Sequence, residues 1–80
     1  MLALLQRVNF AKVEIDNQIV GSINYGLLVF LAIETNDTGK SVERLLHRIL
    51  GYRIFSDEKG RMNLSVKDVN GGLLLVPQFT

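Results

Sequence analysis

Residues 27–33, Leu-Leu-Val-Phe-Leu-Ala-Ile, form an unbroken apolar run near the middle of an 80-residue chain. Polar and apolar positions do not alternate there, so the run reads as a β-strand that needs cover on both faces. The rest of the chain has to supply that cover, and a domain this small hides only ~60–65% of the surface its unfolded chain exposes. Small domains make up the shortfall with disulfides, a metal or a partner subunit. The sequence has no Cys, and its one His is His47. Disulfides, thiolate zinc sites and His clusters are therefore excluded, and no cofactor or metal is expected. With 48% hydrophobic residues, the chain carries more apolar surface than it can bury alone. A second subunit is the expected stabiliser.

The flanking segments read as short elements. Residues 2–8 are apolar apart from Gln6 and Arg7 and predict a strand. Val13 and Ile15 alternate with Lys12, Glu14 and Asp16, the pattern of a half-buried strand. Asp16 and Asn17 tolerate positive φ and predict a tight hairpin turn into a return strand over 19–23. Asn24, Tyr25 and Gly26 turn the chain into the central run. Beyond it, Asp37 or Thr38 is placed to cap a helix. Val42, Leu45, Leu46, Ile49 and Leu50 form one apolar helical stripe, and Gly51 is placed to end it. Residues 52–55 predict a short strand, 57–60 a turn, 62–66 an extended segment, 69–72 a turn and 73–79 a final apolar strand. The early hairpins argue for antiparallel pairing. The expected fold class is α+β: an antiparallel sheet or barrel-like β-structure with one packed helix. A core strand that stops at Thr80 with no polar tail predicts that residues 1–80 are a single domain forming the N-terminal portion of a longer one.

Nine basic against eight acidic residues give a net charge of +1, not the strongly basic balance of a dedicated DNA-binding domain, so no DNA partner is expected. Residues 41–80 hold the basic excess and are the better place for contact with an anion. No apolar run approaches the ~20 residues that span a bilayer. The first residues lack the basic segment of a signal peptide. A cytoplasmic location and no membrane partner are the expectation.

Four motifs carry possible chemistry. Gly39-Lys40-Ser41 follows an apolar strand and opens a helix, the setting of a phosphate-binding loop, and motivates a small nucleotide-binding module as one reading. Glu34 stands where that loop needs its first Gly, and a carboxylate there repels phosphate, so a capped helix start is the simpler account. Lys40, Arg44, His47 and Arg48 share the polar helix face and could meet nucleic-acid phosphates, though a solvated basic face looks the same in sequence. Asp57 and Glu58 are paired carboxylates, but in a Gly-containing turn where both are solvated. Pro77-Gln78-Phe79-Thr80 closes the final strand. Pro77 cannot donate a ladder hydrogen bond, so it belongs at a sheet edge or strand end.

Several blocks, in order, resemble the D-aminoacyl-tRNA deacylases, also called D-tyrosyl-tRNA deacylases. They are residues 1–8 (MLALLQRV), 26–29 (GLLV), 36–38 (NDT), 53–65 (RIFSDEKGRMNLS), and Asp68-Val69 with Leu73-Leu74. The family's first active-site motif is Ser-Gln-Phe-Thr. Here Gln78, Phe79 and Thr80 match it, and Pro77 stands at the Ser position. The second motif, a Gly-Pro further along the family chain, has no counterpart in these 80 residues. The resemblance implies hydrolysis of the ester joining a D-amino acid to tRNA, and a homodimer with its sites at the subunit interface. It places Gln78, Phe79 and Thr80 in the pocket for the adenosine and aminoacyl ester, with tRNA as partner and no cofactor. It also leaves open an inactive relic of the same fold, since Pro77 removes a hydroxyl and a backbone N–H.

Overall fold

The computed structural model describes residues 1–79. The elements run β1 (Leu2–Val8), β2 (Ala11–Ile15), β3 (Gln18–Ile23), β4 (Gly26–Ile33), α1 (Gly39–Gly51), β5 (Phe55–Ser56), β6 (Met62–Leu64) and β7 (Gly72–Phe79). The central apolar run is β4, and it lies between β1 and β7 in a three-stranded sheet. β1 pairs with it antiparallel, from Leu2 opposite Ala32 to Val8 opposite Gly26. β2–β3 and β5–β6 are separate antiparallel pairs. The fold is α+β with one packed helix, as expected, and its sheets are open.

The expected all-antiparallel pairing fails at one place. β7 runs parallel to β4, from Gly26 beside Gly72 to Ile33 beside Phe79. The reason is the route of the chain. It leaves β4 at one end of the sheet, descends through α1, β5 and β6, and starts β7 at the other end. A helical crossover between neighbouring strands delivers the second strand parallel to the first.

Alternate residues of β4 build the core. Leu27, Val29 and Leu31 are buried with Ile49 of α1, Phe55 and Val66, and Leu5, Leu45, Leu50, Leu73 and Leu75 pack around them. The Tyr25 ring meets Phe55 edge-on, with centroids 5.3 Å apart. The expectation of cover on both faces of the central strand is corrected. On the face turned away from α1, Phe30 is 41% exposed. In β1, whose register puts them on the same face, Leu2 is 70% and Leu4 66% exposed. The molecule is only 15 Å through its thin dimension, the depth of one sheet with cover on a single side.

The local signals mostly hold. Asp16 and Asn17 make the hairpin turn at φ 51° and 64°. Thr38, not Asp37, is the helix N-cap: its hydroxyl accepts from the Ser41 N–H at 3.3 Å, and the Ser41 hydroxyl accepts in return from the Thr38 N–H. Gly51 is the last helical residue, and the Tyr52 N–H closes the helix on the Ile49 carbonyl at 3.2 Å. The short strand expected over 52–55 begins later, at Phe55.

Candidate active site

The register of β7 fixes where its last residues lie, and two glycines fix the register. A Cβ on Gly26 would overlap the Gly72 backbone, and one on Gly72 would come within 2.9 Å of the Ile23 side chain. Only Gly at both positions lets the strands start this close. Counting up from that pair, Leu31 lies beside Pro77, Ala32 beside Gln78 and Ile33 beside Phe79. β7 is an edge strand among the described residues, which is where a Pro is tolerated. Pro77 and Gln78 are both exposed. Position 78 falls on the face away from α1, level with Ala32 and Leu2. Thr80 lies outside the described residues.

Three chain segments converge at this end of the sheet. The Asp37 carboxylate accepts from the Glu34 N–H at 2.9 Å and pairs with the Met1 ammonium at 3.2 Å. The loop leaving β4 is thereby tied to the start of β1, beside the last residues of β7. The Glu34 N–H, helped by the Met1 ammonium, holds the Asp37 carboxyl below its ordinary value, against the opposing effect of burial. A hollow of about 280 Å³ lies between the hairpin, at Val13, Val20 and Gly21, and β7, at Leu74, Val76 and Pro77. Its walls are apolar, so any polar recognition at this end comes from strand-end groups such as Gln78 and main-chain amides. Fixed amides of that kind stabilise a developing oxyanion in acyl transfer.

The other motifs fall elsewhere. Ser41 is engaged in the cap of α1, so Gly39-Lys40-Ser41 is a helix start rather than a phosphate cradle. Lys40, Arg44, His47 and Arg48 are exposed on the outside of α1. Asp57 closes its turn by accepting from the Arg61 and Lys59 N–H groups at 3.0 and 2.9 Å, which keeps its carboxyl below the ordinary range. Among the described residues no group of three or more His, Asp or Glu is placed to hold a metal ion. No helix of the described residues is long and apolar enough to cross a membrane. The Asp37–Met1 contact is the feature that sequence reasoning missed. Its only signal was a carboxylate in the loop after the central strand, and nothing local linked it to the chain start.

Comparison with known proteins agrees with this geometry. Residues 4–80 match the family model described as D-Tyr-tRNA(Tyr) deacylase. A D-aminoacyl-tRNA deacylase of Pseudomonas fluorescens (strain SBW25) is 58% identical over all 80 residues, which make up 55% of that relative. One of Legionella pneumophila (strain Lens) is 59% identical over the same span and share. The chain thus spans about half the length of the curated relatives it matches. Among solved structures, the c-Myc DNA Unwinding Element Binding Protein superposes with a TM-score of 0.87 at 38% identity, over 98% of this chain and 53% of that one. Central strand, helix, crossover and the Gln78-Phe79-Thr80 end all fall within the matched span, and the chain belongs to the D-Tyr-tRNA(Tyr) deacylase family.

Proposed function

We propose that this chain is the N-terminal portion of a D-aminoacyl-tRNA deacylase domain. The reaction is hydrolysis: water adds to the ester carbonyl, the bond to the tRNA 3′ end breaks, and D-amino acid and free tRNA leave. The observation that supports this most directly is the position of Gln78-Phe79-Thr80, at the end of an edge strand held in register by the Gly26–Gly72 contact. In this reading Gln78 orients the aminoacyl-adenosine, and the amides near Phe79 and Thr80 donate to the oxyanion. The partner is tRNA, met in the cytoplasm, and the assembly is a homodimer. A net charge of +1 gives little general attraction for duplex DNA, so no DNA partner is proposed.

The test is release of D-amino acid from D-aminoacyl-tRNA, with the L-aminoacyl ester as control. Selective release is the expected result for a competent site. Substituting Gln78→Ala should cost about tenfold in kcat/KM, the worth of one hydrogen bond near 1.4 kcal/mol. A Gln78→Ala protein that hydrolyses D-esters as fast as its parent overturns the assignment.

Pro77 favours a second reading, an inactive relic of the fold, because it removes a hydroxyl and an N–H at the strand end. Pro77→Ser decides between them. A gain of roughly 2- to 12-fold, one restored neutral hydrogen bond, points to an impaired enzyme. No turnover from either form, with both folded, points to the relic.

A further inference from the structure

The outward face of β1 and β4 has the composition of an interior. Register sets Leu2 opposite Ala32, Leu4 opposite Phe30 and Gln6 opposite Leu28. Five of those six residues are apolar, whereas a strand face turned to water ordinarily carries the polar half of the alternation. Leu2 and Leu4 are two-thirds exposed or more, and Phe30 is 41% exposed. The β7 side of the same face is already covered in part. The β2–β3 hairpin leans there, close enough that a Cβ on Gly21 would lie 3.0 Å from Leu74 Cδ1. What remains open is a strip the width of two strands, roughly 5 Å between strand axes. We propose that this strip is seated, in the complete domain, against the polypeptide segment that the relatives carry outside the match.

The lengths agree with that occupant. The matched 80 residues are 55% of the Pseudomonas fluorescens relative, so about 65 residues of it lie outside. Strands average roughly 5–6 residues, so a segment of that size can lay two across the strip and still have chain left over. A second copy of this chain is the rival occupant. It would leave that large segment of every matched relative without an assigned place on a sheet that still has one bare face. The proposal rests on family membership and not on the deacylation reading.

The absence of Cys makes a single-cysteine labelling test clean. Leu4→Cys, Phe30→Cys and, in the exposed turn, Lys59→Cys as control are each made in two proteins. One is the 80-residue chain, and the other is this chain continued after Thr80 by the remaining segment of the Pseudomonas fluorescens relative. The readout is the rate of modification by a maleimide across a dilution series. In the continued chain, the cysteines at positions 4 and 30 should react at least about tenfold slower than the one at 59, at every concentration, as buried groups do. In the 80-residue chain at high dilution, the cysteine at 4 should react within about twofold of the control. Equal rates at 4 and 59 in the continued chain overturn the proposal. Protection there that vanishes on dilution also overturns it and assigns the face to a second copy. If the continued chain is unfolded by circular dichroism, the same cysteine is placed in the Pseudomonas fluorescens relative at the position aligned with Leu4, and the same outcomes decide. None of these rates depends on ester hydrolysis, so failure here leaves the proposed activity standing.

Discussion

Asp37, Asp57 and Asp68 do one job in three places. Each carboxylate accepts N–H groups from two to four residues away and closes a turn: Glu34 for Asp37, Lys59 and Arg61 for Asp57, Ser65 for Asp68. All three are held below the ordinary carboxyl value of 3.8, chiefly by those backbone donors. As pH falls through 3.8, the unfolded chain takes up protons before the folded one does. The stability these groups contribute is therefore present above that value and is lost as pH drops through the depressed folded values. Urea midpoints should hold nearly flat down to about pH 5 and then fall. Asp57→Asn with Asp68→Asn should lower the neutral-pH midpoint and flatten the acid fall; an unchanged acid limb refutes this account. Sequence composition located these turns, because Asp, Asn and Gly cluster in them. It could not say which carboxylate closed which loop, since Asp37 reads equally well as a helix cap until the Thr38 hydroxyl is seen in that role.

At the scale of elements, α1 and β4 are coupled through Ile49. It is 2% exposed against Leu27, Val29 and Leu31, and Ile49→Ala should cost about 2–5 kcal/mol in chemical denaturation. Thr38→Ala removes only a cap and should cost about 1 kcal/mol. On a domain this small that is a drop of roughly 4–8 °C in Tm. Gly26→Ala acts differently. Its Cβ would meet the Gly72 backbone, so the strands must part at their start and the level of Gln78 against Ala32 is lost. Amide exchange along β7 should quicken while α1 stays protected; uniform exchange across both refutes this. The helical stripe from Val42 to Leu50 and the central strand were legible in the residues themselves, because periodicity is a local property. The parallel pairing of β7 was not. Two apolar strands carry no mark of their relative direction, and the hairpins early in the chain pointed the wrong way.

At the scale of the molecule, the sequence carried a surplus of apolar residues, and the structure shows where the surplus sits. It lies on one face, at Leu2, Leu4 and Phe30. Composition cannot place such a surplus, because the unbroken run of β4 looks the same whether its second face is covered or bare. The candidate site is legible to the same partial degree. Pro77 and Gln78 are where the motif put them, on an exposed strand end, while Thr80 lies outside the described residues.

The Gly26–Gly72 contact also sets an order of events. Its two partners are 46 positions apart, so when the chain emerges from a ribosome, β1 and the β2–β3 hairpin can close on β4 at once, through neighbours in sequence. The other edge of β4 must wait until α1, β5 and β6 have been made. During that wait the most apolar strand of the protein presents an unpaired edge, and long-range parallel pairing is the slow step of such topologies. A nascent chain arrested before β7 is where chaperone binding and aggregation should be sought.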